Sequence, residues 1–395
     1  MFTRAEKFLL FALAFIQFSH IVDFMILMPL GPSLMRTFEI TPTQFGLLVS
    51  AYTFSGGTTG LISALFLDRF DRKKSLLFFY LGFSLGTLAC AFAPTYELLM
   101  LGRIFTGAFG GVLGSQILSI IGDSIETHKR GTATGLVMSA FSFASVVGVP
   151  FALYLANHFD WHAPFLFLGG LSLLLLGLIY KAVPAMSSHL KHERENPVTV
   201  LKEYLSQKTY LIPLIFMILL VFGQFSVIPF LSPSFVANTG LLESQLPLIY
   251  LVGGICSIVS GPLIGRISDR VGKARVFVTA ALFSILPLLI LTHLGPTPVP
   301  VLLFVVGLFF IAMGGRMIPA MALITGTVPP HRRGSYMSVV SSTQQFSSAA
   351  ASFVAGLMIT KSQAGQILGY GHVGIMAAIF TMSAVLMIRQ IRSQY

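Results

Sequence analysis

The sequence predicts an all-α membrane protein with twelve transmembrane helices in two pseudo-symmetric six-helix halves. Three observations predict this fold class: a very low content of charged residues, long apolar segments that recur regularly, and two loop motifs that repeat at a nearly constant offset. Only 10% of the residues are charged and 55% are hydrophobic, whereas soluble domains carry about 25% charged residues. Too few charges remain to cover a soluble surface, so the apolar residues are expected to face lipid.

Apolar segments long enough to cross a hydrocarbon core of about 30 Å recur along the chain, each followed by a short polar break. The twelve predicted spans are 8–34, 43–67, 75–94, 97–122, 132–157, 163–181, 209–237, 243–267, 275–293, 299–326, 335–360 and 366–389. An even number of spans places both termini on the same side of the membrane. The first span is too long for the apolar part of a cleaved signal peptide, so it is predicted to be a retained helix.

Lysine and arginine are distributed very unevenly between the two sets of loops. Of the 25 such residues, 21 fall in the termini and the even-numbered loops, two (Arg36 and Lys361) fall in odd-numbered loops, and Arg103 and Arg316 lie inside spans. Because positive residues remain on the cytoplasmic side, both termini of this multi-pass protein are expected in the cytoplasm, with the chain in the cytoplasmic (inner) membrane. This placement explains the net charge of +11 without a nucleic-acid partner.

The longest polar stretch divides the chain. We expect an N-terminal six-helix half at 1–181, a cytoplasmic linker at 182–208 and a C-terminal six-helix half at 209–395. At the end of the linker, Pro197–Tyr204 has the pattern of a short amphipathic helix on the membrane surface.

The two halves repeat one another in their loops. Asp68 and Asp269 follow spans two and eight and are 201 residues apart, while Arg130 and Arg333 follow spans four and ten and are 203 residues apart. A near-constant offset indicates duplication, and duplicated transporter halves typically share a binding site near the middle of the membrane. Several prolines within the spans mark expected kinks; they are Pro29, Pro150, Pro229, Pro233 and Pro319.

The loop after span eight carries a recognisable motif. Gly265, Asp269, Arg270, Gly272 and Lys273 match the pattern Gly-x-x-x-Asp-Arg-x-Gly-Arg/Lys of the major facilitator superfamily, which the chain resembles over essentially its whole length. The copy after span two departs from this pattern at its two glycine positions, while its charged residues match. Ala64 and Asp71 replace the glycines, and the matching residues are Asp68, Arg69, Arg72 and Lys73.

Three further segments resemble the drug:proton antiporter branch of that superfamily. In span four, Arg103-x-x-x-Gly107 resembles its arginine-containing motif. In span five, Gly148-Val149-Pro150 resembles its Gly-Pro motif with one residue inserted. In span one, the segment from His20 to Pro32 is similar to arabinose-efflux-type permeases.

The resemblance implies the major facilitator fold and a gating role for the loop motifs. In that role Asp68 and Asp269 engage neighbouring helix ends and stabilise the outward-open state, since a carboxylate is favourable at a helix N-terminus. Asp123 or Glu126 is expected to pair with Arg69 or Arg72. The implied gating residues are Asp68, Arg69, Arg72, Gly265, Asp269, Arg270 and Gly272.

Charged side chains within spans are costly in a bilayer and default to a functional interpretation. Asp23 is predicted about 16 Å from the outer end of span one and Arg103 about 9 Å into span four, so the two can meet. We expect Asp23 to be the protonation site: burial disfavours its charged form and a nearby guanidinium favours it, so a balance between the two permits loading and release of a proton. The alternative is a static Asp–Arg pair that holds two helices together.

Other polar residues are candidates for the same work. His20 lies on the same helical face as Asp23 and either relays protons or is a hydrogen-bonded polar residue of a wet cavity. Arg316, between Gly315 and Pro319, either binds an anionic or hydroxylated group or pairs with backbone carbonyls. The predicted substrate-binding residues are Gln17, Asp23, Tyr52, Arg103, Gln224, Arg316 and Gln344.

The sequence therefore favours a secondary transporter, a proton-coupled antiporter that exports a small amphiphilic molecule such as a drug, sugar or metabolite. Uptake or facilitated diffusion, including that of an anionic solute, is an alternative, and a membrane sensor or intramembrane enzyme is an alternative outside transport. No phosphate-binding loop or catalytic triad pattern is present in the sequence, so we expect no enzymatic activity and no cofactor, with a proton gradient as the driving force. The expected partners are substrate, protons and lipid, and the expected state is a monomer.

Overall fold

The computed structural model describes residues 2–67, 70–186, 197–329 and 332–391. The loop residues Asp68 and Arg69 and the linker segment 187–196 lie outside the described residues. The described chain is helical apart from its loops and one antiparallel hairpin of two short strands, β1 (Thr360–Lys361) and β2 (Ile367–Leu368).

The helices follow the order in which the apolar segments were predicted. They are α1 (Arg4–Ile26), α2 (Gly31–Thr37), α3 (Pro42–Phe66), α4 (Arg72–Ala91), α5 (Tyr96–Gly110), α6 (Leu113–Ser124), α7 (Arg130–Phe143), α8 (Val149–His158), α9 (His162–Ala182), α10 (Pro197–Ser206), α11 (Lys208–Phe225), α12 (Ile228–Ser234), α13 (Leu246–Val271), α14 (Lys273–His293), α15 (Val299–Thr325), α16 (Arg333–Met358) and α17 (Tyr370–Met387).

Twelve segments of this helical chain have the length of a membrane span. Ten helical segments are both long and apolar enough to cross a membrane. α3 and α16 are as long, with 25 and 26 residues, but they are richer in Ser, Thr and Gly, which permit close helix packing. Together these segments give the predicted twelve-helix fold.

The first predicted span, 8–34, is not one continuous helix. α1 ends at Ile26, and a turn at residues 27–30 precedes α2. Pro29 lies in that turn and lacks the N–H that a continuing helix needs. Asp23 therefore lies in the last turn of α1 and not in the middle of one longer helix.

Three more predicted spans contain interruptions. Span four divides between α5 and α6 at Gly111 and Val112, and span seven divides between α11 and α12 just before Pro229. Span five stays helical but passes through a π-helical stretch, Ala144–Gly148, immediately before Pro150. In each case backbone groups leave the regular i to i−4 pattern within a membrane segment, which is typical of functional regions.

Contacts along the backbone divide the chain into two compact units. The first comprises residues 1–26 and 51–200, and the second comprises residues 27–50 and 201–395. In the first unit α4 packs against α9 and α5, and α1 against α7 and α9; in the second, α15 packs against α13 and α14, and α11 against α16 and α17. The predicted N-terminal half, 1–181, included residues 27–50, which here group with the second unit.

Close backbone contacts explain why residues 27–50 belong to the second unit. A side chain at Gly46 would meet the carbonyl oxygen of Ser352, and the Thr43 hydroxyl donates to the carbonyl of Gly356 over 2.9 Å. Arg36 adds a forked ion pair with Glu243, whose second contact, from Nη2 to Oε2, measures 3.1 Å. Glycine at these contacts lets the start of α3 and α16 approach closely, a contact that hydropathy does not encode.

The predicted amphipathic helix in the linker is confirmed as α10. Its Tyr204 hydroxyl lies 2.7 Å from the Ser335 hydroxyl, and Glu203 accepts hydrogen bonds of 2.8 Å from Arg332. These contacts join α10 to the start of α16 within the second unit.

Candidate proton and substrate site

Asp23 is completely buried in the first unit and has a donor for each carboxylate oxygen. Arg103 Nη1 donates to Oδ2 over 2.9 Å, and the Thr87 hydroxyl lies 3.0 Å from Oδ1. The side chains of Asp23 and Arg103 are both 0% exposed. The structure thus brings together the two charged residues that the sequence predicted to meet.

The Thr87 hydroxyl has two acceptors within reach. It lies 3.0 Å from Asp23 Oδ1 and also 3.0 Å from the carbonyl oxygen of Phe83, one turn earlier in α4. Its single proton can go to the ionised carboxylate. When the carboxyl is protonated, the acid can instead donate to Thr87, whose proton then goes to Phe83. Both protonation states of Asp23 therefore have a hydrogen-bond arrangement.

Arg103 uses only part of its donor capacity on Asp23. Its guanidinium carbon lies 4.2 Å from the centre of the Tyr52 ring and 6.0 Å from that of Phe165. Nε and Nη2 have no hydrogen-bond partner among the described residues. The aromatic faces stabilise the cation, and the three N–H groups on Nε and Nη2 leave it able to donate to a second, anionic or hydroxylated partner.

Glycines allow the helices around the pair to approach closely. A side chain at Gly107 would meet the backbone of Tyr52, one at Gly111 the backbone of Gly56, and one at Gly148 the side chain of Val22. α5 therefore lies directly on α3, and the end of the π-helical stretch lies directly on α1 beside Asp23. Gly107 and Gly148 belong to the two antiporter-like motifs, whose local effect here is to permit these close contacts.

Three predicted site residues of the first unit also have polar atoms without partners. Among the described residues, no hydrogen bond is made by His20 Nδ1, Gln17 Oε1 or the Tyr52 hydroxyl. The His20 ring stacks on Tyr52 with 6.4 Å between centroids and meets the edge of Phe83 at 5.9 Å. Because buried polar groups normally have partners, these atoms can bind water or a ligand hydroxyl, with those of Tyr52 and His20 closest to Arg103.

The remaining predicted substrate residues lie in the second unit. Arg316 is 0% exposed, and its Nη1 donates to the Thr381 hydroxyl over 2.9 Å. Its Nε and Nη2 have no partner among the described residues, nor does Gln224 Oε1. Gln344 Nε2 contacts only sulfur, Met217 Sδ at 3.3 Å and Met321 Sδ at 3.6 Å. Arg316 thus pairs with a side-chain hydroxyl and not with the backbone carbonyls that were the alternative.

Comparison with known proteins decides the family. The profile of the Major Facilitator Superfamily matches residues 13–352, and a second match covers 214–392. The chain belongs to the Major Facilitator Superfamily. It is a multi-pass membrane transporter of that superfamily, and no catalytic activity is indicated.

Individual superfamily members are similar along much or all of the chain. An uncharacterized MFS-type transporter of Bacillus subtilis (strain 168), YceJ, is 26% identical over 373 residues, covering 92% of this chain and 91% of its own. A probable sugar efflux transporter of Helicobacter pylori (strain ATCC 700392 / 26695) is 23% identical over 251 residues, 64% of this chain and 63% of its own. Among solved structures, a D-xylose-proton symporter superposes with a TM-score of 0.78 at 18% identity, covering 98% of each chain, which shows the fold.

The superfamily loop motif is built differently in its two copies. In the first, Arg72 Nε lies 3.0 Å from Asp123 Oδ2, which confirms the predicted Asp123–Arg72 pair. Asp71, at a motif glycine position, accepts from the Lys74 amide over 3.0 Å and from the Met186 amide over 2.7 Å. Asp71, which stands in place of the motif glycine, is therefore the N-cap of α4. It also hydrogen-bonds the segment that follows α9, at Met186.

In the second copy the motif glycine is present and adopts a positive φ, a conformation that glycine tolerates and other residues rarely adopt. Gly272 has φ of +105° and caps α14 without any side-chain hydrogen bond. A side chain at Gly265 would meet open space, and Asp269 and Arg270 are exposed. The gating role of these residues stays a prediction.

The sequence did not point to two residues of the site. Thr87, in span three, contacts Asp23, and Phe165, in span six, lies 6.0 Å from the Arg103 guanidinium carbon, but neither residue carries a charge. A signal was present: Ser84 and Thr87 lie three residues apart, on one face of an otherwise apolar helix, and Ser and Thr in membrane helices commonly bond across to neighbouring helices.

Proposed function

We propose that this transporter is a proton-coupled exporter of a small amphiphilic organic molecule, with a sugar as the first cargo to test. The observation that carries the proposal is the completely buried Asp23–Arg103 pair. The name of the Helicobacter pylori relative, a probable sugar efflux transporter, supports both the direction and the cargo class.

A buried ion pair is a costly way to hold helices together. Each buried charge loses several kcal/mol of hydration free energy. A well-packed apolar pair of similar volume often stabilises a protein at least as much as a buried ion pair does. Retaining the pair makes sense if its charge changes during the cycle. Protonation of Asp23 removes the counter-charge of Arg103 and weakens the carboxyl group as an acceptor, and loss of the proton restores both.

The neighbouring groups fit both charge states of the pair. Protonated Asp23 can donate to Thr87, and His20, Gln17 and Tyr52 of the same unit have atoms without partners among the described residues. A hydroxylated cargo can donate to the ionised Asp23 carboxylate and accept from the Nε and Nη2 groups of Arg103. Protonation weakens the acceptor that this cargo uses, so proton and cargo would compete for Asp23, which is the requirement for antiport.

The orientation of the proposal follows from the basic residues. With 21 of 25 in the termini and even-numbered loops, both termini lie in the cytoplasm, the chain lies in the cytoplasmic membrane, and an inwardly directed proton gradient would drive export. We propose that the monomer is the working unit, as in the sequence interpretation.

The test is transport by the full chain in proteoliposomes, with the Asp23→Asn variant beside the native protein. Native protein should move a radiolabelled sugar against its gradient when a pH difference is imposed. Asp23→Asn should lose this driven transport by about a hundred-fold or more, because it cannot take up a proton, while cargo exchange without a pH difference persists. Asp160→Asn, an exposed carboxylate outside the site, is the matched control.

The experiment separates the proposal from a static pair. If Asp23→Asn loses driven transport and exchange together while its melting temperature also falls, the pair is structural. Unchanged pH-driven transport in Asp23→Asn would overturn the proposal outright.

One observation favours a second candidate, transport of an anionic solute. Arg316 is completely buried, and no carboxylate lies within ion-pair distance of it among the described residues. The same liposomes should therefore be tested with neutral, cationic and anionic compounds. Preference for an anion that disappears in Arg316→Gln would support this candidate over a neutral sugar.

A further inference from the structure

A cleft of about 650 Å³ lies where α13 ends and α14 begins, within the second unit. Ser268, Asp269, Gly272, Lys273 and Arg275 line it. These residues belong to the second copy of the loop motif and to the second unit, whereas Asp23 and Arg103 belong to the first. We propose that this cleft binds the phosphate group of an anionic phospholipid. The proposal needs the chain to lie in a membrane but does not depend on the cargo or on proton coupling.

The N-terminus of α14 opens into the cleft. This 21-residue helix begins at Lys273, and its cap, Gly272, makes no side-chain hydrogen bond. The first amides of a helix have no partner within the helix and lie at the positive end of its dipole, so they favour an anion. At the equivalent position of the first unit the Asp71 carboxylate already occupies the amides of α4. Of the two copies, the second is the one in which no side chain caps the first amides of the helix, so an external anion can bind them.

Ser268 supplies an independent observation. It lines the cleft, is 3% exposed, and its hydroxyl has no hydrogen-bond partner among the described residues. A buried hydroxyl without a partner is unfavourable, because it has given up its hydrogen bonds to water. A phosphate oxygen in the cleft would accept this hydroxyl proton together with the amides at the start of α14.

The charges of the lining match a phosphodiester. Two cationic residues, Lys273 and Arg275, and one carboxylate, Asp269, line the cleft. Two further cations, Arg266 and Arg270, lie on the last turns of α13. Asp269 is exposed, so water screens its repulsion of a nearby anion. Two cations against one carboxylate leave a net attraction for a group with a single negative charge.

An apolar stripe identifies the source of that phosphate. Leu263, Ile267 and Val271 follow at four-residue spacing on one face of α13, and they are 52%, 50% and 51% exposed. The stripe ends at Val271, which itself lines the cleft. Acyl chains lying along this stripe would place a headgroup phosphate at the cleft, whereas a free phosphate ion makes no use of it. The charge distribution assigns this end of α13 to the cytoplasmic leaflet, where anionic lipids attract basic segments.

The test is lipid binding by the full chain in neutral detergent, titrated with phosphatidylglycerol or phosphatidylcholine and followed by native mass spectrometry. The native protein should bind phosphatidylglycerol more tightly than phosphatidylcholine. In Lys273→Gln/Arg275→Gln the dissociation constant for phosphatidylglycerol should rise about 30-fold, which corresponds to roughly 2 kcal/mol, or about 1 kcal/mol for each charge. Ser268→Ala should weaken binding several-fold and leave the net charge unchanged.

The matched control removes two positive charges at the equivalent helix start of the first unit. Lys73→Gln/Lys74→Gln should change phosphatidylglycerol affinity less than three-fold, because Asp71 already caps α4 there. Equal losses in the two double variants would show unspecific attraction to the basic surface and overturn the proposal. An arm with inorganic phosphate tests the source: competition by millimolar phosphate that abolishes the preference for phosphatidylglycerol would overturn the assignment to a phospholipid.

Discussion

At the scale of single residues, the protonation chemistry of Asp23 depends on Thr87 as well as on Arg103. A charge-assisted hydrogen bond is stronger than one between neutral groups, so the Thr87 hydroxyl favours the ionised carboxylate over the neutral acid. If Asp23 is the proton site, as proposed, the balance between burial, Arg103 and Thr87 sets the pH at which it changes charge.

Replacement of Thr87 by valine tests this balance with little change in volume. Loss of one hydroxyl donor to a charged group removes roughly 1 kcal/mol more from the ionised state than from the neutral acid, so the midpoint of the pH dependence of driven transport should move up by about half to one pH unit. The measurement is sugar transport in proteoliposomes over a series of internal and external pH values.

The control for that measurement is Thr106→Val. Thr106 is equally buried and donates to the carbonyl of Gly102 over 2.7 Å, but it does not contact Asp23. Its midpoint should stay within 0.2 pH units, roughly 0.3 kcal/mol. A Thr87→Val midpoint that coincides with that of the native protein would remove Thr87 from the proton site.

At the scale of elements, the helices of this chain end and bend where backbone groups lose their partners. Pro29 ends the first span before α2, and a π-helical stretch precedes Pro150. The two copies of the loop motif show the same principle with opposite solutions: Asp71 caps α4 with its carboxylate, and Gly272 starts α14 through a positive φ.

Replacement of Asp71 tests whether this residue, which stands where the motif has glycine, stabilises the protein by capping α4. Asp71→Ala should lower the free energy of unfolding by about 1–2 kcal/mol, since both the α4 cap and the bond to the Met186 amide disappear. Asp71→Gly restores the residue of the superfamily motif but should also destabilise, and Asp71→Asn should retain most of the cap. Thermal unfolding in detergent is the measurement.

Asp269→Ala is the comparison for the loop in the second unit. Asp269 is exposed and is not the cap of α14, so its loss should change stability by less than about 0.5 kcal/mol. An equal loss of stability in Asp71→Ala and Asp269→Ala would contradict the different roles of the two loops.

At the scale of the whole molecule, the distribution of basic residues predicts which loops face the cytoplasm. Lys74 lies in an even-numbered loop and Lys361 in the hairpin of an odd-numbered one, and both are exposed. They therefore report on opposite sides of the predicted topology.

Cysteine labelling in intact cells tests this topology. In a chain without Cys90 and Cys256, Lys361→Cys should react with a membrane-impermeant maleimide, and Lys74→Cys should react only after permeabilisation. The physical reason is the retention of positive loops on the cytoplasmic side. The reverse labelling pattern would invert the orientation and, with it, the proposed direction of transport.

Much of the fold could be predicted because a bilayer imposes simple conditions on sequence. Length and hydropathy fix where a helix can span, so the twelve segments and the short helix α10 in the linker were predicted. The breaks within segments, and the packing of residues 27–50 with the second unit, were not predicted. They depend on glycine and proline contacts between segments distant in sequence, such as Gly46 with Ser352.

The candidate site divides in the same way. The sequence by itself determined the membrane-spanning class, the duplicated loops, and the three charged residues within spans that had to be satisfied or used, because charge in a bilayer is rare and costly. Only the tertiary structure decided that Asp23 pairs with Arg103 and Thr87, that Arg316 donates to the Thr381 hydroxyl, and that one loop is capped while its copy leaves an open cleft. Those outcomes depend on ångström-scale contacts between helices, and single-sequence periodicity carries no information about them.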